Sequence, residues 1–349
     1  MSDHHPSDRR YDVHPEWFRR CGGSGLRLPA ISLGCWHNFG GPGSDPRALP
    51  EPEFHDNARR MLLTAFDHGV THFDLANNYG PPPGAAESRV GRVLREDLAA
   101  HRDELIISTK AGYGMWPGPY GDGGSRKYLL ASLDQSLARL GLDYVDIFYH
   151  HRPDPDTPMD ESLGALDAAV RAGKAIYAGI SSYSGEQTRR AMEICEAGGW
   201  ARPIIHQPPY SMLDRTIEDD LMPVAREHGL GIIAFCPLAQ GLLTGKYLDH
   251  VPDDSRARQP SGFLTEDRVT PDLVRKLNAL DEIARARGQS LAQLALAWVL
   301  REQAHGRVAS ALIGASRPEQ IEENLRALGA APLAGDELSA IESVIAGPS

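Results

Sequence analysis

Four polar side chains, Asp74, Tyr79, Lys110 and His151, stand at or just beyond the ends of short apolar runs, in THFDLANNYG, LIISTKAGYG and YVDIFYHHRPD. Together these residue types could protonate a carbonyl oxygen while its carbon is reduced. A phenol with a pKa of about 10 is a poor donor at neutral pH until something stabilises its phenolate. A lysine ammonium within hydrogen-bond reach favours that ionised form and so lowers the phenol's pKa. Buried, Lys110 would tend to lose its own proton, so it needs a carboxylate partner, and Asp74 is placed to be one. His151 can donate a hydrogen bond to the carbonyl oxygen, orienting and polarising it.

Each residue also has a plainer reading. Asp74 could cap a helix or pair with a lysine for structure alone, and Tyr79 could simply pack, since tyrosine bodies bury readily. Lys110 is harder to dismiss, because buried lysine is rare without a partner. Neighbouring strand residues point to opposite faces, so only one of His150 and His151 can face a reaction centre. His68 and His72 have i, i+4 spacing but straddle Gly69 at a helix end, which argues against a metal site, and no metal is expected. Ser125-Arg126-Lys127 suggests a phosphate site, but Ser125 as a helix N-cap explains the serine more simply. Trp36, Tyr113 and Trp116 could wall a small pocket with Tyr79 and His151, or only pack between loops.

The elements that must bring these residues together alternate strictly. Short apolar runs predict strands at Ile31–Cys35, Thr71–Leu75, Leu105–Thr109, Tyr144–Tyr149, Ile176–Ile180, Ile204–His206, Gly231–Phe235 and Ser310–Ile313. Capping-box spacing marks helix starts at Thr157 with Asp160, Ser184 with Gln187, Ser290 with Gln293 and Ser316 with Glu319. Gly69, Gly141, Gly173, Gly198, Gly229, Gly288 and Gly329 fall where helices should stop. Strand–helix alternation implies a parallel sheet, and this number of strands favours closure into a (β/α)8 TIM barrel. Trp17 to Ile31 suits a small hairpin around Gly22-Gly23-Ser24-Gly25. Residues 1–15 read as a disordered or loosely docked tail, and 16–349 as one barrel domain. Leu238 to Asp272 is too long for an ordinary connection and reads as a binding segment or lid on the C-terminal face. In a closed barrel every strand's C-terminal end reaches one rim, so residues distant in sequence become neighbours there.

Composition narrows the function classes. Acidic residues outnumber basic ones by 47 to 36, for a formal net charge of −11, which argues against general affinity for nucleic acid or anionic membranes. Cys21, Cys35, Cys195 and Cys236 lack C-x-x-C spacing and read as reduced thiols. No N-terminal h-region is present, and no apolar run approaches the ~18–20 residues of a membrane span. A cytoplasmic protein is expected. No G-x-G-x-x-G follows a strand, which excludes a Rossmann reading.

In their order and at their strand ends, Asp74, Tyr79, Lys110 and His151 resemble the catalytic tetrad of the aldo-keto reductase superfamily, and the similarity runs from about Tyr11 to the C-terminus. NNYGPPPG, STKAGYGMWPGPYGDGGSRKYLLASLDQSL, GISSYS and FCPLAQGLLTGKY are most similar to the bacterial L-glyceraldehyde 3-phosphate reductase group, in the branch that includes the potassium-channel β-subunits. The resemblance selects His151 over His150, and it implies NADP(H) as cofactor. It implies that Trp36 and Asp74 line the cofactor, that Ser181, Ser182 and Gln207 hold the nicotinamide carboxamide, and that Phe235 stacks on the ring. Phe235 departs from the tryptophan or tyrosine common in the superfamily, which keeps stacking but removes an indole or hydroxyl hydrogen bond. Pro237, Leu238, Gln240 and Lys246 would follow the pyrophosphate, joined by Arg256 from the long loop. Gly314, Ser316, Arg317, Gln320, Glu323 and Asn324 would hold the adenosine end, where a helix start favours a phosphate and hence NADP over NAD. The implied activity is reduction of a small aldehyde, L-glyceraldehyde 3-phosphate or methylglyoxal, by a homo-oligomer, tetrameric or octameric. The alternatives are a redox-sensing regulatory subunit, against which His151 counts because the channel β-subunits carry asparagine there, and a lyase forming a Schiff base on Lys110.

Overall fold

The computed structural model describes residues 4–12, 16–41, 50–251 and 264–347. The predicted apolar runs form β3 (Ile31–Gly34), β4 (His72–Asp74), β5 (Ile106–Ala111), β6 (Val145–His150), β7 (Ala175–Ser181), β8 (Ile205–Gln207), β9 (Gly231–Phe235) and β10 (Ser310–Ile313). They pair in parallel and in order, and β10 closes on both β9 and β3. The barrel expected from the sequence is therefore present. β5 and β6 are almost wholly buried along their length, as strands covered on both faces must be.

Helices α1 (Glu51–Asp67), α2 (Ala85–Glu96), α3 (Arg126–Leu140), α4 (Met159–Arg171), α5 (Gly185–Gly198), α6 (Leu221–His228), α7 (Pro271–Ala286), α8 (Leu291–Val299), α9 (Pro318–Leu325) and α10 (Gly335–Ala346) accompany these strands. In α3 the Ser125 hydroxyl accepts from the Tyr128 N–H at 3.3 Å, so the capping reading of Ser125 holds. Leu129, Leu133, Leu137 and Leu140 fall on one buried stripe, each burial stabilising by about 2 kcal/mol. Gly141, left-handed at φ 69°, ends the helix.

Ser184 with Gln187 and Ser290 with Gln293 form the reciprocal capping boxes their spacing predicts. Two other boxes do not form. Thr157 donates its hydroxyl to Asp154 at 2.7 Å, and α4 starts from Pro158, because a local turn around Asp154 competes for the threonine. Ser316 directs both its N–H and its hydroxyl to Gln320 Oε1, leaving Arg317 at the N-cap of α9. Helix α5 continues through Gly198, and Gly199 takes the left-handed position instead.

A hairpin of β1 (Phe18–Arg20) and β2 (Arg27–Pro29) closes the end of the barrel opposite the strands' C-termini. Its Cys21 and Leu28 pack with Ile147, Tyr149, Ile205, Ile233 and Leu312 in a cluster distinct from the larger core. A Cβ at Gly231 would lie 2.2 Å from the Cys21 sulfur, so only glycine lets the hairpin seat this closely. Residues 4–12 of the polar N-terminal stretch include the short 3-10 turn Asp8–Tyr11. Arg10 is buried, pairs with Glu104 and lies over the Phe66 ring at 4.7 Å.

Candidate active site

Strand register sets the first contacts. Asp74 at the end of β4 lies beside Ser108 of β5, and Lys110 lies beside Tyr149 of β6. On β5, Ser108 and Lys110 are two residues apart and so share a face, which the hydrogen bonds of both to Asp74 show to be the inner one. Lys110 is fully buried, with its ammonium 2.5 Å from Asp74 Oδ2, 2.6 Å from the Leu75 carbonyl and 3.4 Å from the Tyr79 hydroxyl. Three acceptors use all three of its protons.

The His151 ring meets the Tyr79 ring edge-on at 5.9 Å, and Trp36 approaches Tyr79 from another side, also at 5.9 Å. Asp74, Tyr79, Lys110 and His151 thus converge, although they come from three strand ends. Tyr113 stands edge-on to His151 at 4.7 Å, which makes it a wall of the same space. Trp116 packs on Tyr128 at 5.2 Å, the loop-packing contact weighed for it from the sequence. His150 is directed elsewhere. Its Nδ1 lies 2.7 Å from the Tyr183 hydroxyl, inside the protein.

Burial decides the electrostatics. It pushes the Lys110 ammonium below its ordinary value, with the Asp74 carboxylate opposing. It pushes the Tyr79 phenol well up, aided by the Asp74 charge. That net direction is opposite to the acidified phenol the sequence suggested, because removal from water outweighs one ammonium at 3.4 Å. A resting Tyr79 therefore keeps its proton. His151 is pushed well below the usual imidazole range by burial and then by the positive charges of Lys110 and Arg152. It is neutral at pH 7 and can donate a hydrogen bond without giving up a proton.

Beside this centre the backbone is unusual. Ser182, Cys236, Ala239 and Gln240 all have positive φ, which non-glycine residues rarely adopt. Such strain collects at binding segments. Ser181 donates to the Gln207 carbonyl at 2.8 Å, and the Gln207 amide donates to Asp74 Oδ1 at 3.2 Å, coupling this side of the rim to the lysine pair. Phe235 is half-buried at the end of β9, with Pro237, Leu238 and Gln240 following it and Lys246 exposed beyond. Gly241 and Gly314 both face open space where a Cβ would be, as a backbone cradle for a ligand would. At α9 no side chain caps the first turn, which leaves N–H groups for a phosphate, and the 63% exposed Arg317 side chain stands beside them in a solvent-exposed pair with Glu319 at 3.7 Å. Asn324 is buried in α9, and the Glu323 carbonyl accepts from Gln293. These residues fit an extended, phosphate-bearing dinucleotide. Arg256 lies outside the described residues.

The chain matches the model of the aldo/keto reductase family over residues 30–346. It belongs to the aldo/keto reductase family. As a member it is an NADP(H)-dependent oxidoreductase. This aldo/keto reductase is 56% identical over 334 residues to L-glyceraldehyde 3-phosphate reductase of Escherichia coli K12, covering 94% of the chain and 92% of that protein. The counterpart of E. coli O157:H7 is 55% identical over the same length. A probable voltage-gated potassium channel subunit beta of Arabidopsis thaliana is 37% identical over 319 residues, covering 90% of the chain and 92% of that protein. Among the described residues of this aldo/keto reductase no helix is long and apolar enough to cross a membrane, and no cluster of His, Cys, Asp and Glu could hold a metal.

Reading the sequence missed several residues that build the site. Asn38 and Asn57 donate to the carbonyls of Ala315 and Ser316 and hold the loop before α9. Ser108 donates to Asp74 Oδ1 at 2.6 Å. The only signal for Ser108 was its place two residues before Lys110, which gains meaning once β4 and β5 are known neighbours.

Proposed function

We propose that the chain reduces a small aldehyde with NADPH, with L-glyceraldehyde 3-phosphate as first candidate and methylglyoxal as second, and that Asp74, Tyr79, Lys110 and His151 carry the reaction. The observation that supports this most is a single ammonium held between a buried carboxylate and a phenol. NADPH, when bound, supplies the hydride. Ser181, Ser182 and Gln207 would hold its carboxamide, Phe235 its ring face, and the Pro237–Lys246 segment with Gly314, Ser316 and Arg317 its phosphates. Tyr79 gives its proton to the carbonyl oxygen, and Lys110 stabilises the phenolate left behind. Asp74 keeps Lys110 charged and in place, while His151, neutral, orients the carbonyl by a donated hydrogen bond. Trp36 and Tyr113 exclude water from the reacting atoms.

The substrate is tested by following NADPH absorbance with the two glyceraldehyde 3-phosphate enantiomers and methylglyoxal. The L-enantiomer should turn over fastest. Tight NADPH binding with no turnover on any aldehyde would favour a sensing subunit, a reading kept in view by the likeness to proteins named as channel subunits. A Schiff base on Lys110 is disfavoured, since its nitrogen is committed to Asp74 and the Leu75 carbonyl. We further propose a cytoplasmic homo-oligomer, tetrameric or octameric, with residues 16–349 acting as one domain. Support comes from resemblance.

Arg317→Ala should raise the KM for NADPH roughly 10- to 100-fold, the loss expected for one charge-assisted bond to a phosphate. The KM for NADH should change little. Equal losses with both cofactors would show that Arg317 does not read the extra phosphate.

A further inference from the structure

A file of hydrogen bonds crosses the barrel interior below the site. The Ser310 and Ser32 hydroxyls are 2.6 Å apart, Ser32 lies 2.9 Å from His72 Nδ1, and His72 Nε2 lies 2.9 Å from the Ser108 hydroxyl. Ser108 reaches Asp74 Oδ1 at 2.6 Å, and Asp74 Oδ2 meets Lys110. Ser32, His72, Asp74, Ser108, Lys110 and Ser310 are all fully buried, so each link joins groups removed from bulk solvent.

The direction of every bond follows from the first. A carboxylate paired with an ammonium only accepts, so the single Ser108 proton lies toward Asp74. Ser108 then has only lone pairs to offer His72, which places a proton on Nε2. Burial and nearby Lys110 hold the His72 imidazole at a pKa of about 4 against the pull of Asp74, so at neutral pH its Nδ1 carries no proton. Nδ1 must accept from Ser32, and Ser32 must accept from Ser310. The opposite tautomer would set two unprotonated acceptors, Nε2 and the Ser108 oxygen, face to face at 2.9 Å.

We propose that His72 is a positioning residue for carbonyl reduction: held as the Nε2–H tautomer between Ser32 and Ser108, it aims the Ser108 hydroxyl at Asp74 and so fixes the carboxylate that orients Lys110 toward Tyr79. Without His72, Ser108 is free to rotate, Asp74 Oδ1 keeps only the longer bond from the Gln207 amide at 3.2 Å, and the carboxylate is held less firmly against the ammonium. The inference rests on the tetrad reading given above.

Two measurements test it. On the wild-type protein labelled with 15N-histidine, long-range 1H–15N correlation spectra should show His72 as the Nε2–H form at neutral pH, with its signal assigned by loss in His72→Gln. In steady-state assays His72→Leu should lower kcat about tenfold, the equivalent of one net hydrogen bond, with the KM for NADPH unchanged. His72→Gln, whose amide can donate to Ser108 and accept from Ser32, should recover most of that loss. An Nδ1–H tautomer overturns the proposal, as do equal rates for the Leu variant and wild type, or equal losses in the Leu and Gln variants. Should the Leu variant fail to fold, the tautomer and the Gln variant still decide. Retained turnover in Tyr79→Phe would sink the tetrad reading itself; loss there with full activity in His72→Leu sinks only this inference.

Discussion

Tyr79→Phe is expected to lose about a thousandfold or more in kcat while NADPH still binds with wild-type affinity. Removing a positioned general acid costs typically 10²–10⁴-fold. Here the upper part of that range applies, because the other groups near the reacting oxygen cannot take over. Lys110 already donates to Asp74 and the Leu75 carbonyl, and losing its proton would leave the buried Asp74 charge unpaired. His151 is neutral and could give up a proton only as an imidazolide, far outside the accessible range. The phenylalanine ring keeps the contacts with Trp36 and His151, so the pocket's shape should survive. Fluorescence titration with NADPH and single-turnover kinetics separate binding from chemistry. Substantial turnover in the variant would remove Tyr79 from its proposed role.

Acidification should destabilise the protein as soon as the pH falls below the ordinary imidazole pKa of about 6.5. His72, His150 and His206 are buried and held neutral, with pKa values pushed down to about 4, about 4 and about 3, burial being the first cause for each. Asp74 partly offsets burial at His72, and Asp154 does so at His150. In an unfolded chain each would titrate near 6.5. The folded values lie lower, so between about pH 6.5 and 4 the unfolded state binds more protons than the folded one. Stability is then full above 6.5 and falls as the pH drops through that window. Near pH 5 the difference is roughly three protons, a slope of roughly 4 kcal/mol per pH unit. Against a typical stability of about 5–15 kcal/mol, unfolding is expected between about pH 6 and 4. Denaturant midpoints measured across this range check it. A stability that stays flat from neutrality to about pH 4.5 would show that these imidazoles are not held neutral.

Much of the site was legible in the sequence because barrel chemistry is written at strand ends. Each of Asp74, Lys110 and His151 closes or follows an apolar run, and a closed parallel sheet delivers all such ends to one rim. Helix caps were read less evenly. Ser184 and Ser290 cap as their spacing implies, whereas Thr157 and Ser316 are drawn off by Asp154 and Gln320, competitors that spacing alone does not rank.

The residue types and their order already pointed to a parallel barrel and to a lysine that, once buried, needs a carboxylate, since period, burial and charge pairing are local rules. What required the tertiary structure was every contact across strands. Register alone sets Ser108 beside Asp74 and aims His72 at Ser108, and packing alone turns His150 toward Tyr183 while His151 meets Tyr79. The sign of the Tyr79 shift belongs to the same class, because it depends on how completely water is excluded, a property of the assembled barrel and its loops and of no single segment.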